Sequence, residues 1–216
     1  MQSPVPREAH NASLAYFGRL AADISHELRN RFATINEKDG LLTDLLELQR
    51  RGRPADPERL VSLSGDIKRH VRLAQETCTD LSLFSHLADE EVREENIDDL
   101  VALMSRLTAR RGRQHGLEIV SRTRAHVSAR VNPFQLGFAI FQCLDWALKS
   151  QESGELELSA LRARSGPGVE IQGADFAPLI SQVPDLLDAT LLAVPGVLAA
   201  GENSHSVVIT IEEAPR

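Results

Sequence analysis

The sequence has few of the features that mark secreted or membrane-spanning proteins. Only two cysteines, Cys78 and Cys143, occur among 216 residues. Both lie in apolar stretches, so we expect small buried hydrophobic residues and neither a disulfide nor a metal pair. No apolar run approaches the roughly 20 residues that span a bilayer. The first residues, "MQSPVPREAHNAS", lack the apolar core of a signal peptide. These absences favour a cytoplasmic protein without a membrane partner.

The sequence also has fewer basic than acidic residues. Lysine and arginine number 24 against 31 aspartates and glutamates, which gives a net charge of −7. A negative overall field repels phosphate backbones, so we expect no nucleic-acid partner. Hydrophobic residues make up 42% and charged residues 25% of the chain, a composition typical of folded globular domains. The length is sufficient for two modest domains.

The first part of the chain has a helical apolar period. No proline interrupts residues 11–50, and side chains counted at about 100° per residue from Ile24 form one stripe. The stripe consists of Phe17, Ala21, Leu28, Ile35, Leu42 and Leu46. After the turn "RRGRPADP", Asp56 can N-cap a second helix that starts at Pro57 and runs to about His86. Because two such helices cover only one face of each other, we expect a homodimeric four-helix bundle.

The second part of the chain is predicted to form a mixed α/β domain. The acidic segment "ADEEVREEN" (88–96) is interpreted as a solvated helix end or linker, and residues 97–111 as an amphipathic helix. A strong helix is expected over 132–150, with Asn132 as N-cap and Pro133 at its first position.

Strands are predicted around this helix. They are the segments "LEIVSRT", "HVSARV", "GELELSALRA", "PGVEIQG" and "SVVITIEE", with "SGPG" (165–168) as a turn. The predicted fold class is therefore α+β. A helical hairpin over 10–88 forms the dimeric bundle, and a reduced α/β sandwich over 96–216 follows it.

The stretch "ISHELRNRFATIN" (24–36) places an ionisable trio inside the first helix. A helical zinc hydrolase needs H-E-x-x-H, but Asn30 stands where the second histidine would be. Counted from Ile24, His26 lies at about 200°, Ala33 at about 180° and Glu37 at about 220°, so His26 faces water. From the residues alone, a solvated histidine without a task and a phosphate-accepting histidine both remain open.

The surrounding residues resemble a known family. "FGRLAADISHELRNRFATI" resembles the phosphoacceptor box of sensor histidine kinases, and "TCTDLSLFSH" (77–86) resembles the partner helix of that box. The resemblance implies that His26 accepts phosphate, that Glu27 orients or deprotonates the imidazole, and that Asn30 positions a water for dephosphorylation. One departure is Arg31, where the family usually has a proline that bends the helix.

The family's docking surface is implied as well. Receiver domains are expected to bind beside the histidine, on the exposed residues Arg29, Ala33 and Glu37 and the helix turns that follow, with the second helix contributing.

The family's ATP-binding motifs are degenerate here. "VNPFQLGFAIFQCLDWALKS" resembles the helix whose asparagines hold Mg²⁺, but Gln142 and Trp146 occupy the asparagine positions. An indole offers only an N–H donor. "VEIQGADFAPLI" does not match the adenine-reading Asp-x-Gly-x-Gly motif, and "LLAVPGVLAAGEN" is no glycine-rich lid. We therefore expect no bound nucleotide, no cofactor and no metal of the chain's own, with Mg²⁺ supplied by a partner receiver.

The combination resembles dimeric histidine phosphotransferases built on a kinase-like scaffold. It implies a phosphorelay protein that takes phosphate on His26 from one response-regulator receiver and passes it to another. Two alternatives stay open. One is a divergent sensor histidine kinase that autophosphorylates His26 from ATP. The other is a non-catalytic pseudokinase adaptor that dimerises and docks receivers.

Overall fold

The structure is a computed structural model that describes residues 7–88, 92–123, 126–163, 166–201 and 205–212, and the side chains from residue 11 onward. The helices in these ranges are α1 (Arg7–Arg50), α2 (Pro57–Leu87), α3 (Ile97–Gln114), α4 (Pro133–Ser150), α5 (Ala177–Ser181) and α6 (Asp185–Ala193). The strands are β1 (Arg93–Asn96), β2 (Leu117–Ser121), β3 (Ser128–Val131), β4 (Gly154–Ala163), β5 (Gly166–Gln172), β6 (Gly196–Ala200) and β7 (Ser206–Ile211). The predicted order, a long helical hairpin followed by an α/β sheet domain, is confirmed.

The hairpin begins and turns where the sequence predicts. Helix α1 runs for 44 residues without a break. The carboxylate of Asp56 accepts a hydrogen bond from the backbone N–H of Glu58 at 3.0 Å, so the predicted cap of α2 is confirmed. Lys38 Nζ on α1 lies 3.4 Å from Asp66 Oδ2 on α2. This ion pair fixes which turns of the two helices face each other. No helix in the described ranges has the length and apolarity that a membrane span requires.

The described chain forms two compact units. One comprises Ala21–Leu83, which is the hairpin without its open end. The other, here called the α/β unit, comprises the residues up to Leu20 and those from Phe84 onward. The predicted boundaries, 10–88 and 96–216, place the first turns of α1 and the last turn of α2 with the hairpin, so the compact units differ from them.

An aromatic cluster explains this division. The ring of Tyr16 lies 5.0–5.6 Å from the rings of Phe84, Phe134, Phe138 and Phe141, and Tyr16 is 1% exposed. Its hydroxyl donates to Met104 Sδ at 3.5 Å. Burial raises the pKa of the Tyr16 phenol. The first turns of α1 are thus held against α4 by tilted and stacked ring contacts, and Phe84 of α2 adds an edge-to-face contact. This cluster was not predicted from the sequence.

The α/β unit is built on a five-stranded sheet in the order β2-β4-β5-β7-β6. Strands β2 and β4 are parallel and the remaining neighbours are antiparallel. Helices α3 and α4 carry the apolar residues that cover one face of the sheet, and most of their inward side chains are fully buried. Asn132 accepts from the backbone N–H of Gln135 at 3.0 Å, which confirms it as the cap of α4.

Two sequence interpretations are corrected. The segment 88–96 is not simply a solvated linker, because Arg93–Asn96 forms β1 and pairs antiparallel with β3. Its half-buried residues, Arg93 and Glu95, alternate with the exposed Glu94 and Asn96, and Arg93 Nε lies 2.6 Å from Glu95 Oε2. The "SGPG" turn is also wrong for Gly166 to Gly168, which belong to β5; Ser165 lies outside the described residues.

Other features differ from the expectation or were missed. Cys143 is buried as predicted, but Cys78 is exposed, because α2 buries only the face that meets α1. Helices α5 and α6 and strand β6 were not predicted. Their segments carry few β-branched residues and no clean period, and they are fixed by packing against α4 and β7.

Candidate functional site

The predicted phosphoacceptor lies on the water side of α1. Ile24 is buried, whereas His26 two residues later is exposed. This is the placement that the helical period predicts. Asn30, Ala33 and Glu37 are also exposed and follow His26 at spacings of four, three and four residues. These four residues, here called the His26 strip, therefore share one face of the helix. Arg29 is exposed on α1 as well.

Glu27 is not free beside His26. Its carboxylate oxygen Oε1 lies 2.5 Å from Arg31 Nη2, and both side chains are half-buried. The pair has the i, i+4 spacing with the acid on the N-terminal side, which is the favourable orientation on a helix. The sequence analysis noted Arg31 only because the related family usually has proline at that position. The ion pair was missed, although the four-residue spacing of Glu27 and Arg31 indicates it.

Helix α1 continues through Arg31 with no interruption. The Thr34 hydroxyl donates to the backbone carbonyl of Asn30 at 3.1 Å, so this carbonyl has a partner in the turn below. The side chain of Asn30 remains exposed. A proline in place of Arg31 would remove one backbone hydrogen bond and bend the helix. Here the His26 strip lies on an uninterrupted helix.

The two positions that resemble Mg²⁺ ligands lie in the α/β unit and have other contacts. Gln142 Nε2 donates to Thr190 Oγ1 at 2.9 Å, and the Thr190 hydroxyl donates to the carbonyl of Leu186 at 2.7 Å. The Trp146 ring lies 5.6 Å from the ring of Phe176, at an angle of 32°. Gln142 and Trp146 thus join α4 to the segment that contains α5 and α6.

These residues do not fit a magnesium ion. Mg²⁺ needs oxygen ligands in a tight octahedron, whereas an indole presents no acceptor. Among the described residues, no three His, Cys, Asp or Glu side chains are grouped as a metal site would require. We derive no chemistry through a metal of this chain.

Next to these positions, Asp145 links α4 to α3. Its carboxylate pairs with Arg111 and with Lys149, the latter at 2.6 Å. Burial acts to raise the pKa of Asp145, but the hydrogen bond from Lys149 and the charge of Arg111 outweigh it, so that this pKa lies below its ordinary value. Arg111 also lies 5.4 Å from the centre of the Phe141 ring. Asp145 is therefore an ionised structural contact.

No family model and no curated protein matches the sequence. Among solved structures, the chain is similar to the Acinetobacter baumannii histidine kinase AdeS, with 16% identity, 88% of this chain and 98% of that chain covered, and a TM-score of 0.46.

Two further solved structures are similar to the chain. The ATP binding domain of PrrB from Mycobacterium tuberculosis is 16% identical, with 59% of this chain and all of that chain covered and a TM-score of 0.48. Full-length ShkA is 14% identical, with 98% of this chain and 48% of that chain covered and a TM-score of 0.45. The chemistry of this chain is therefore argued from its own residues.

Proposed function

We propose that the chain is a phosphorelay histidine phosphotransferase that works without ATP. His26 takes a phosphoryl group from the aspartyl phosphate of one response-regulator receiver and passes it to the aspartate of another. The observation that carries the proposal is the exposure of His26 on an unbroken helix, opposite buried Ile24, with the His26 strip beside it. An acceptor must be reachable by a folded receiver, and this face offers that access.

The chemistry needs few groups from this chain. In the first step the lone pair of a neutral imidazole nitrogen forms the N–P bond while the O–P bond of the donor breaks, and the donor aspartate leaves as a carboxylate. In the second step the acceptor carboxylate attacks the phosphorus and the imidazole leaves. Phosphoryl transfer depends mainly on positioning and on electrostatic stabilisation. The Glu27 carboxylate, held by Arg31, stabilises positive charge on the ring, and Asn30 would position a water for dephosphorylation.

The partners follow from the same surfaces. Receivers would dock on Arg29, Ala33 and Glu37 and the turns that follow. A second copy of the chain would cover the apolar side chains that the hairpin leaves exposed, among them Phe32, Leu46 and Val71. Exposed apolar patches of this kind mark protein interfaces. The proposal is therefore a homodimer with one receiver site on each hairpin.

The contacts of Gln142 and Trp146 support a relay without ATP. Both side chains are engaged within the α/β unit, Gln142 with Thr190 and Trp146 with Phe176. The Gln142 bond uses the amide nitrogen and leaves its oxygen without a metal to hold. Trp146 gives the stronger support, because an indole has no oxygen to offer Mg²⁺.

The test is label transfer from receivers phosphorylated with ³²P. The wild-type chain should acquire an acid-labile, base-stable label from its cognate receiver, and His26→Gln should acquire none. His115→Gln, which changes another exposed histidine, is the matched control and should be labelled like the wild type. Labelling of His26→Gln would refute the mechanism. A wild type that takes no label from any phosphorylated receiver of its organism would favour the adaptor.

A further inference from the structure

The α/β unit contains a cleft that the relay chemistry does not use. Its volume is about 340 Å³, and it lies between the first turns of α1, one face of α4 and the start of α6. The accessible side chains of this α1–α4 cleft include Ala12, Ala15, Arg19, Gln142, Trp146 and Leu186. Small-molecule pockets start at roughly 300 Å³, so the cleft has room for a compact ligand.

The cleft exists because α1 presents small residues at this point. Ala12, Ala15 and Arg19 follow one another at spacings of three and four, so they share one helix face. The neighbouring Tyr16 holds that face against α4. Ala12 and Ala15 contribute only methyl groups to the lining, and larger side chains at these positions would fill the cleft. The opposite wall is apolar and aromatic, with Trp146 half-buried and backed by Phe176.

The charge in the cleft is unbalanced toward the positive. Asp145 is paired with both Arg111 and Lys149, so its negative charge is already compensated. Arg19 makes no hydrogen bond or ion pair with any residue that the structure describes. Of the charged groups in the lining, Arg19 and Lys149 are cations and Asp145 is the anion, which gives a formal charge of 2 − 1 = +1. A single guanidinium is thus available to a ligand.

We propose that the α1–α4 cleft binds a small aromatic monoanion, with its ring against Trp146 and its acidic group on Arg19. Flat rings stack on indole, and a guanidinium forms paired hydrogen bonds to carboxylate or sulfonate oxygens. A nucleoside triphosphate fits poorly, because one free cation leaves most of its charge unpaired and Gln142 and Trp146 hold no metal. This inference is independent of phosphotransfer at His26.

The experiment uses the full chain and two fluorescent probes that differ only in charge. The anion is 1-anilinonaphthalene-8-sulfonate, and the neutral probe is N-phenyl-1-naphthylamine, which lacks the sulfonate. Trp146 is the only tryptophan of the chain, so energy transfer from its indole reports a probe bound near it, and the variants below test whether that probe lies in the cleft. The wild type should bind the anion at one saturable site per chain, more tightly than the neutral probe.

Two variants separate the contributions of charge and shape. Arg19→Gln should weaken binding of the anion about tenfold, as expected for loss of one charge-assisted contact, and should leave the neutral probe unchanged. Ala15→Leu should weaken both probes by filling the cleft. Arg113→Gln, at an exposed arginine of the same unit, is the control and should bind like the wild type.

Three results would overturn the proposal. They are binding that does not saturate, equal affinity of Arg19→Gln and wild type for the anion, and undiminished energy transfer in Ala15→Leu. Circular dichroism on each variant checks that the chain is folded when the probes are measured.

Discussion

The two compact units differ in how much apolar surface they bury. In the α/β unit, α3, α4 and the sheet enclose a core whose side chains are almost entirely covered. Between residues 21 and 83, the fully buried apolar side chains are only Ile24, Leu63 and Ala74. The same stretch exposes Phe32, Leu41, Leu46, Leu48, Val61, Val71 and Leu83. The α/β unit buries most of its own apolar side chains, whereas the hairpin leaves many of its apolar side chains exposed.

This difference agrees with the separate roles that we propose for the two units. The α/β unit has a buried core, and polar side chains such as Gln142 bond within the unit, so few groups remain to bind a large ligand. A hairpin with an exposed histidine and uncovered apolar residues has two surfaces to offer, one to a receiver and one to a second copy. The experiments below alter one unit at a time.

The largest effect is expected from the core of the α/β unit. Ile140 on α4 is fully buried, so Ile140→Ala should lower the free energy of unfolding by about 3 kcal/mol, from lost burial and the cavity left behind. Val61→Ala, at a hairpin side chain that is 73% exposed, should change it by less than about 0.5 kcal/mol. Urea unfolding measures both. Equal losses would contradict the contrast between the units.

The second experiment tests whether the hairpin is covered by another copy. Phe32 and Leu46 are 53% and 45% exposed on α1. The double variant Phe32→Lys/Leu46→Lys should weaken dimerisation by about 3 kcal/mol, because two apolar side chains lose their burial and two charges replace them. Sedimentation velocity should show a monomer at micromolar concentration. Leu192→Lys, at a 74% exposed position of the other unit, should leave the dimer intact. A monomeric wild type would remove the homodimer from the account.

The third experiment concerns acid stability of the α/β unit. The folded pKa of Asp145 is depressed, so its ion pairs stabilise the fold at pH values above the ordinary aspartate pKa of about 3.9. That stability is lost as the pH falls through the lower, folded pKa. Asp145→Asn should therefore reduce the free energy of unfolding at pH 7 by about 1–2 kcal/mol. Below about pH 4, the free energy of unfolding of this variant should depend less on pH than that of the wild type.

Thermal unfolding between pH 2.5 and 7 measures this. Glu118→Gln, at an exposed carboxylate of β2, is the control and should follow the wild type. If Asp145→Asn lost stability with acid as steeply as the wild type, the Arg111–Asp145–Lys149 contact would not be the source of the effect.

The smallest effect is expected at the receiver surface. Ala33→Asp introduces a charged side chain on the His26 strip and should slow phosphoryl uptake about tenfold, equivalent to about 1.4 kcal/mol, while the dimer persists. Ser121→Asp, at an exposed position of β2 in the α/β unit, should have no effect. Rapid-quench labelling from a phosphorylated receiver measures the rate. Unchanged uptake by Ala33→Asp would place the docking surface elsewhere.

The sequence predicted the elements whose period and caps are local. Helices α1, α2 and α4 follow from apolar spacing and from the caps at Asp56 and Asn132. The outward direction of His26 follows from the same spacing. Strands β5 and β7 carry β-branched residues, and β4 begins with alternating Glu and Leu, which is the period of a strand.

What the sequence did not predict depends on contacts between distant residues. Strand β1 is acidic and exists because β3 pairs with it. The aromatic cluster brings Tyr16 against residues more than 60 positions away, and α6 is fixed in part by the hydrogen bond from Gln142 to Thr190. The Glu27–Arg31 ion pair could have been predicted from the sequence, because the two residues have the i, i+4 spacing of helical ion pairs.

The most direct test of the central claim is a parallel labelling experiment on the wild-type chain. One sample receives Mg²⁺ and ATP labelled at the γ-phosphate, and the other receives the cognate receiver labelled as its aspartyl phosphate. The account predicts acid-labile label on the chain from the receiver and none from ATP. Label from ATP that disappears in His26→Gln would contradict it and would establish the chain as a kinase.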